Sequence, residues 1–193
     1  LSVWHYTGML ERTESSLKSS PIIMKNGYPY VVNPILDGVP RMDPEVLREI
    51  TDRMLEICDF DCDLILAPEA MAIPFASIIS LKKNIPYAII RKRSYGFEDE
   101  IRIDKSTGYS SNSMFINDIK PGEKVVLIDD VISTGGTLKS IVDAVRGHGC
   151  KITELVVAVN KSTNLEKVSE MLGINVKYVI GLDIVDGQII CKH

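Results

Sequence analysis

Residues 125–138 read Val125-Val-Leu-Ile-Asp-Asp-Val-Ile-Ser-Thr-Gly-Gly-Thr-Leu138, and this stretch decides the fold. Four consecutive apolar residues, Val125 to Ile128, read as a strand buried on both faces, as strands of parallel sheets are. That strand is expected to end in two adjacent carboxylates, Asp129 and Asp130. Four residues further on comes Thr134-Gly135-Gly136-Thr137, and a helix starts there. In open α/β sheets, ligands bind outside the carboxyl ends of the strands. A glycine-containing turn at a helix N-terminus points backbone N–H groups at an anion, most often a phosphate. Glycine permits close approach of the backbone, and the hydroxyls of Ser133, Thr134 and Thr137 add donors. Ionised vicinal carboxylates only accept hydrogen bonds, which suits the paired hydroxyls of a ribose. A phosphate on one side and a diol on the other describe a ribose 5-phosphate. Neither Gly-x-x-x-x-Gly-Lys-Ser/Thr nor Gly-x-Gly-x-x-Gly occurs, so the loop is of another kind than those two nucleotide-binding motifs.

Outward from this segment, short apolar runs alternate with helical patterns. Strands are expected at Leu64–Ala67, Tyr87–Arg91, Val125–Ile128, Glu154–Val159 and Val176–Ile180, and helices at Pro74–Lys83, Gly136–Gly147 and Leu165–Leu172. This alternation means βαβ units and a mostly parallel sheet covered on both faces. Upstream, Asp43-Pro44 is a helix N-cap with proline at the first helical position, and Val46, Leu47, Ile50, Met54, Leu55 and Ile57 recur at helical spacing behind it. Asn26-Gly27 between Pro21–Lys25 and Tyr28–Asn33 is a strong hairpin signal. A short polar helix is expected within residues 7–19. Lys92–Asn112 is polar, carries Gly96 and Gly108, and exceeds the roughly 12–15 residues usual for structureless loops in compact domains, which marks it as a functional lid or a disordered segment.

A chain of 193 residues is one domain, and 45% hydrophobic with 25% charged residues excludes disordered and fibrous classes. The 22 Lys+Arg against 26 Asp+Glu give a net charge of −4, which argues against a nucleic-acid partner. No apolar run approaches the roughly 18 residues a membrane span requires. Leu1–Glu11 lacks the basic flank and apolar core of a secretory signal. Cys58, Cys62, Cys150 and Cys191 form no Cys-x-x-Cys pair and read as free thiols of a reducing compartment, so the cytoplasm is the expected location. His148 is expected at a helix C-terminus.

Val125–Thr137 resembles the signature by which type I phosphoribosyltransferases bind 5-phosphoribosyl 1-diphosphate (PRPP). The resemblance covers most of the chain and implies one phosphoribosyltransferase domain over residues 1–193. In it, residues 20–42 would form a hood over the base, and residues 92–112 a mobile catalytic loop. Pro68-Glu-Ala-Met-Ala-Ile-Pro74 is similar to the pyrophosphate loop of archaeal hypoxanthine phosphoribosyltransferases and their adenine-type relatives, with Ala72 where those enzymes have glycine. That loop often holds a cis, non-proline peptide in the family. Read by itself, Glu69 is a cap for the helix starting at Pro74; by resemblance Glu69 and Ala70 meet pyrophosphate. Arg91, Lys92 and Arg93 follow a strand, and beside the PRPP motif they too read as pyrophosphate ligands. Adenine-type enzymes carry a further lysine at the place of Tyr95, which leaves Lys92 or Lys105 as the lid cation. Tyr109 aligns with a loop tyrosine of those enzymes, although the acid before it is Gly108 here.

The resemblance implies transfer of 5-phosphoribosyl from PRPP to a purine, with Mg²⁺ as cofactor and a homodimer as the assembly. Asp129 and Asp130 would hold the ribose hydroxyls, and through them or through water the metal, while Ser133, Thr134, Gly135, Gly136 and Thr137 would hold the 5-phosphate. Val39 and Pro40 of the hood, and Asn160 and Lys161 at another strand end, are the candidate base contacts. The hood and the Glu69-Ala-Met run favour hypoxanthine with guanine as a second base. Arg91 and Tyr109 favour adenine. Classical 6-oxopurine enzymes have an acid at the place of Ser133. A PRPP-sensing regulator on the same fold is the non-catalytic alternative, but residues 1–20 are too short for a helix-turn-helix domain.

Overall fold

The apolar run beginning at Val125 lies in the middle of a six-stranded sheet. The structure, a computed structural model, describes residues 10–104 and 113–193. Its elements are α1 (Glu11–Lys18), β1 (Ile22–Lys25), β2 (Tyr28–Val31), α2 (Pro34–Asp37), α3 (Pro44–Ile57), β3 (Leu64–Pro68), α4 (Ala72–Lys83), β4 (Tyr87–Ile90), β5 (Ile101–Ile103), β6 (Met114–Ile116), β7 (Lys124–Ile132), α5 (Gly136–Gly147), β8 (Lys151–Asn160), α6 (Leu165–Leu172), β9 (Val176–Val185) and β10 (Gln188–Lys192). The large sheet has the order β10-β9-β8-β7-β3-β4, and every neighbouring pair is parallel except β10-β9. The mostly parallel α/β sheet expected from the alternating pattern is therefore present.

From β3 the chain moves outward to β4, whereas from β7 it moves the opposite way to β8 and β9. The order reverses between β3 and β7, and the crevice at their carboxyl ends is where such a sheet binds its ligand. Strand alternation divides the interior into two cores. Ile65, Ala67, Val126 and Ile128 face Val46, Ile50, Met54, Phe75 and Ile79 of α3 and α4. Leu66, Val125 and Leu127 face Leu138, Ile141 and Val145 of α5 together with Val168 and Leu172 of α6.

Several boundaries follow the sequence reading closely. Asp43 caps α3 by accepting a hydrogen bond from the Glu45 N–H at 2.9 Å. Asn26 and Gly27, both at positive φ, turn the β1–β2 hairpin. His148 is the C-cap residue of α5, with Nε2 3.2 Å from the Ile119 carbonyl oxygen. Helix α1 has no side-chain cap at Leu10. Glu49 of α3 supplies one from outside by accepting from Arg12 N–H (3.1 Å) and Thr13 N–H (2.8 Å).

Other boundaries differ. The polar stretch 92–112 is not structureless throughout: Ile101-Arg-Ile103 pairs antiparallel with β6 and buries Ile103. Strand β7 does not stop at Ile128 but carries the two aspartates inside it, because its pairing with β8 continues to Ile132 opposite Asn160. Helix α4 starts at Ala72 rather than Pro74. A short α2, an extension of β9 to Val185 and the strand β10 complete the chain. All four cysteines are free thiols, Cys58 and Cys150 buried, Cys62 and Cys191 half-buried. Among the described residues no helix is long and apolar enough to cross a membrane.

Candidate active site

Three segments converge at the crevice. Strand β7 delivers Asp129 and Asp130, and the residues after it turn through Ser133 and Thr134 into α5. Gly135 is the N-cap of α5, at φ 77°, and offers no side chain to the helix end. The first turn also contains no acidic residue. The backbone N–H groups that a serine or aspartate cap would have taken stay available to an incoming anion. A β-carbon on Gly135 would stand 2.6 Å from Val168 Cγ1, so α6 packs directly against the loop and fixes its course.

From the other side, the β3–α4 connection brings Glu69 and Ala70, joined by a cis peptide bond. Ala72 takes its place as the first, fully buried residue of α4, and no glycine is needed there. Glu69 is not the cap of α4, which has none from a side chain. Its carboxylate instead reaches β4's end, accepting from Lys92 N–H at 2.5 Å and lying 3.4 Å from Arg91 Nη1. Backbone bonds from Glu69 N–H to Ile90 O (3.0 Å) and from Arg91 N–H to Phe115 O (2.9 Å) stitch the same place together. Arg91 Nε is buried and has no partner among the described residues. Arg93 turns outward, its guanidinium 4.9 Å from the Tyr95 ring centre. Pro68, Glu69, Lys92, Asp129, Asp130 and the Ser133–Thr137 loop line one cleft of about 260 Å³.

The two aspartates differ in setting. Asp129 is 7% exposed and accepts the Asp130 N–H at 2.8 Å. Burial, and then the neighbouring Asp130 carboxylate, push its carboxyl well above the ordinary carboxylate range. Asp130 is half-buried and displaced upward too, mainly by burial, with the Asp37 carboxylate adding to it. Neither sits comfortably as an anion until hydroxyl donors or a cation arrive. Their oxygens are hard donors of the kind Mg²⁺ prefers. Among the described residues no group of three or more His, Cys, Asp or Glu could hold a metal ion, so a Mg²⁺ here would draw on substrate oxygens and water.

Of the candidate base contacts, Asn160 ends β8 opposite Ile132, and the Lys161 N–H donates to Ile132 O at 2.8 Å. Lys161 lines a second hollow that shares Ser133 and Thr134 with the cleft. Its pKa is lowered by burial, an effect the Asp37 carboxylate opposes. Val39 and Pro40 form an exposed turn after α2, joined by a cis bond, and do not line the cleft. Tyr109 and Lys105 lie outside the described residues. Residues the sequence reading missed are Tyr30 and Asp37, whose side chains meet at 2.7 Å in the hood. Asn33-Pro34, a side-chain cap followed by proline, was the available signal for the α2 turn that carries Asp37.

Comparison with known proteins bears on these geometries. A family model described as phosphoribosyl transferase domain matches residues 44–180. "HGPRTase-like protein 1" of Natrialba magadii is 44% identical over 182 residues, 94% of this chain and 96% of that protein. "Hypoxanthine/guanine phosphoribosyltransferase" of Methanocaldococcus infernus is 43% identical over 94% of this chain and 100% of its own length. Among solved structures, adenine phosphoribosyltransferase from Thermoanaerobacter pseudethanolicus superposes with a TM-score of 0.72 over 90% of this chain and 99% of that one. At 20% identity this likeness concerns the fold alone.

Proposed function

Because this chain belongs to the phosphoribosyltransferase family, we propose that it moves the 5-phosphoribosyl group of PRPP onto hypoxanthine or guanine. The products are the nucleoside 5′-monophosphate and pyrophosphate. The observation that carries this reading is the junction of β7 and α5. An uncapped helix N-terminus and a pair of uneasy carboxylates face one cleft, matched to the phosphate and the diol of a ribose 5-phosphate.

In the reaction the bond from C1′ to the pyrophosphate oxygen breaks, a bond from C1′ to a purine nitrogen forms, and the proton of the base's imidazole N–H leaves with pyrophosphate or water. Positive charge grows on C1′ and the ring oxygen in between. The Ser133–Thr137 loop fixes the 5-phosphate through backbone N–H groups and hydroxyls, which sets the ribose in place. Asp129 and Asp130 accept from the ribose hydroxyls and put negative charge near the developing cation. Arg91 and Lys92 would meet the departing pyrophosphate, with Glu69 holding Arg91 and the Lys92 backbone, whereas Arg93, turned outward onto Tyr95, would have to swing in to join them. Mg²⁺, when bound, neutralises charge on the pyrophosphate; Asp129 and Asp130 would hold it through ribose hydroxyls or water. Tyr109 belongs to the proposed catalytic loop, which would exclude water from the reacting centre.

For the base, an ammonium is donor-only, so Lys161 suits the 6-oxo group of hypoxanthine or guanine and disfavours the 6-amino group of adenine. Relatives aligned along nearly their whole length carry the hypoxanthine/guanine name, which supports the same choice. A homodimer in the cytoplasm completes the proposal, and sedimentation velocity tests the dimer.

The deciding assay measures pyrophosphate release from PRPP and Mg²⁺, with hypoxanthine, guanine, adenine, xanthine, orotate and uracil supplied separately. Turnover with hypoxanthine or guanine and not adenine is the expected result. Turnover with adenine alone overturns the choice of base. PRPP binding without turnover on any base leaves a PRPP sensor.

A further inference from the structure

Tyr30 has no place in the scheme above, yet it occupies a singular position. It lies in β2 of the hood, half-buried, and its hydroxyl donates to Asp37 Oδ1 at 2.7 Å. Asp37 Oδ2 in turn accepts from the Asn33 N–H at 3.0 Å, so the hydroxyl is tied to the α2 turn. Two ammonium groups lie against the ring: Lys25 Nζ 4.6 Å and Lys161 Nζ 4.9 Å from its centre. Lys25 belongs to the same hairpin. Lys161 comes from the far end of β8, beside Ile132 and the phosphate loop. A single ring thus connects the hood to the strand end that borders the cleft. Burial has also made this environment one in which an ammonium gains more from an aromatic face than it would in water.

We propose that Tyr30 is a positioning residue: its ring, moored by the hydroxyl to Asp37, holds the Lys161 ammonium at the edge of the cleft and so sets where the acceptor of the bound base must lie. A free lysine side chain samples many rotamers, and a donor that must be frozen on binding weakens binding. Resting Lys161 on a fixed ring removes that loss in advance. The inference deepens the hypoxanthine/guanine reading and rests on it for the identity of the acceptor.

Kinetics of Tyr30→Leu, Tyr30→Phe, Lys161→Met and the Tyr30→Leu/Lys161→Met pair test it. Tyr30→Leu is expected to raise KM for hypoxanthine about 5- to 30-fold, the worth of one such contact. KM for PRPP and kcat should stay near wild type. Tyr30→Phe, which keeps the ring but loses its mooring to Asp37, should fall between wild type and Tyr30→Leu. In the Lys161→Met background, Tyr30→Leu should add nothing, since the two residues act as a unit. An undiminished effect in that background, or an equal rise in KM for PRPP, overturns the proposal and makes Tyr30 a packing residue of the hood. If the wild-type protein uses adenine alone, the choice of base fails, and the same cycle run with adenine still decides the coupling. A readout free of any base is the ε-methylene signal of Lys161 in ¹³C-lysine-labelled protein, assigned through Lys161→Met. It is expected to be shifted upfield by the ring in wild type and Tyr30→Phe and to return to the ordinary position in Tyr30→Leu; an unshifted wild-type signal overturns the proposal.

Discussion

Replacing Gly135 by alanine challenges two constraints at the phosphate loop simultaneously. The residue sits at φ 77°, in the left-handed region, where a β-carbon costs about 1–2 kcal/mol. That β-carbon would also stand 2.6 Å from Val168 Cγ1 and 3.0 Å from Met171 Cε. Val168 is 8% exposed and cannot swing into solvent, so the overlap must be absorbed by α6 at a cost of about 1–3 kcal/mol. Together the two effects amount to about 2–5 kcal/mol, which at roughly 2–4 °C per kcal/mol lowers Tm by about 4–20 °C. Thermal unfolding of wild type, Gly135→Ala, Val168→Ala and the pair separates the contributions. The coupling between the two sites should return the steric part, about 1–3 kcal/mol, and leave the backbone part standing. A Gly135→Ala Tm within about 2 °C of wild type would refute the reasoning, and so would complete rescue by Val168→Ala. In the folded variant, KM for PRPP should rise more than KM for the base, because the displaced N–H groups belong to the phosphate cradle.

Other consequences follow from single groups. The folded protein holds the proton of Asp129 more tightly than the unfolded chain does, since burial raises its pKa above the ordinary 3.8. The associated stability is complete below that value and is lost as pH rises through the raised one. Asp129→Asn should therefore abolish turnover yet raise Tm at pH 8, with the gain fading towards pH 4; a gain independent of pH contradicts the assignment. Lys161→Met should raise KM for hypoxanthine about 10- to 100-fold with KM for PRPP little changed, the worth of a hydrogen bond from a charged donor. Asn33 is fully buried, caps α2 through Ile35 N–H and Leu36 N–H, and donates to Val31 O. Asn33→Ala should destabilise the hood by about 1–3 kcal/mol and be read as faster hydrogen exchange over residues 34–38. Burial, and then the Glu154 carboxylate, push the Cys58 thiol up to about 12. In the folded protein at pH 8 it should resist alkylation until the chain unfolds, and labelling at the unfolded rate would count against its buried position.

Much of the fold was legible locally. Asp43-Pro44 and Asn26-Gly27 announce a helix start and a turn through the backbone angles those residues adopt, and both are where the sequence places them. Helix α5 runs over the expected Gly136–Gly147 because its apolar stripe and its glycine entrance are both written in the chain. Strand β10, reached through a turn in which Asp186 and Gly187 both take positive φ, is not legible in the sequence, since the flanking residues alternate too weakly to stand out. Ile101–Ile103 is not legible as a strand in the sequence, because three residues carry almost no periodic signal until β6 lies beside them. The extension of β7 past Asp129 depended likewise on β8, whose pairing with it continues to Asn160.

The order of residues along the chain specifies the chemical kinds at the site: an anion-binding helix entrance, two carboxylates and a basic run after a strand. Each is a property of neighbouring residues, set by backbone angles and side-chain charge within a few positions. Which of them act together is a matter of the tertiary structure. It turned Glu69 from a helix cap into the partner of Arg91 and Lys92, 22 and 23 positions away, and placed Lys161 on the Tyr30 ring of a distant hairpin. The first pairing arises because parallel β3 and β4 end side by side, and the second because the hood hairpin lies against the carboxyl end of β8. No local pattern encodes such a meeting, because it is fixed by the packing of two cores on opposite faces of the sheet.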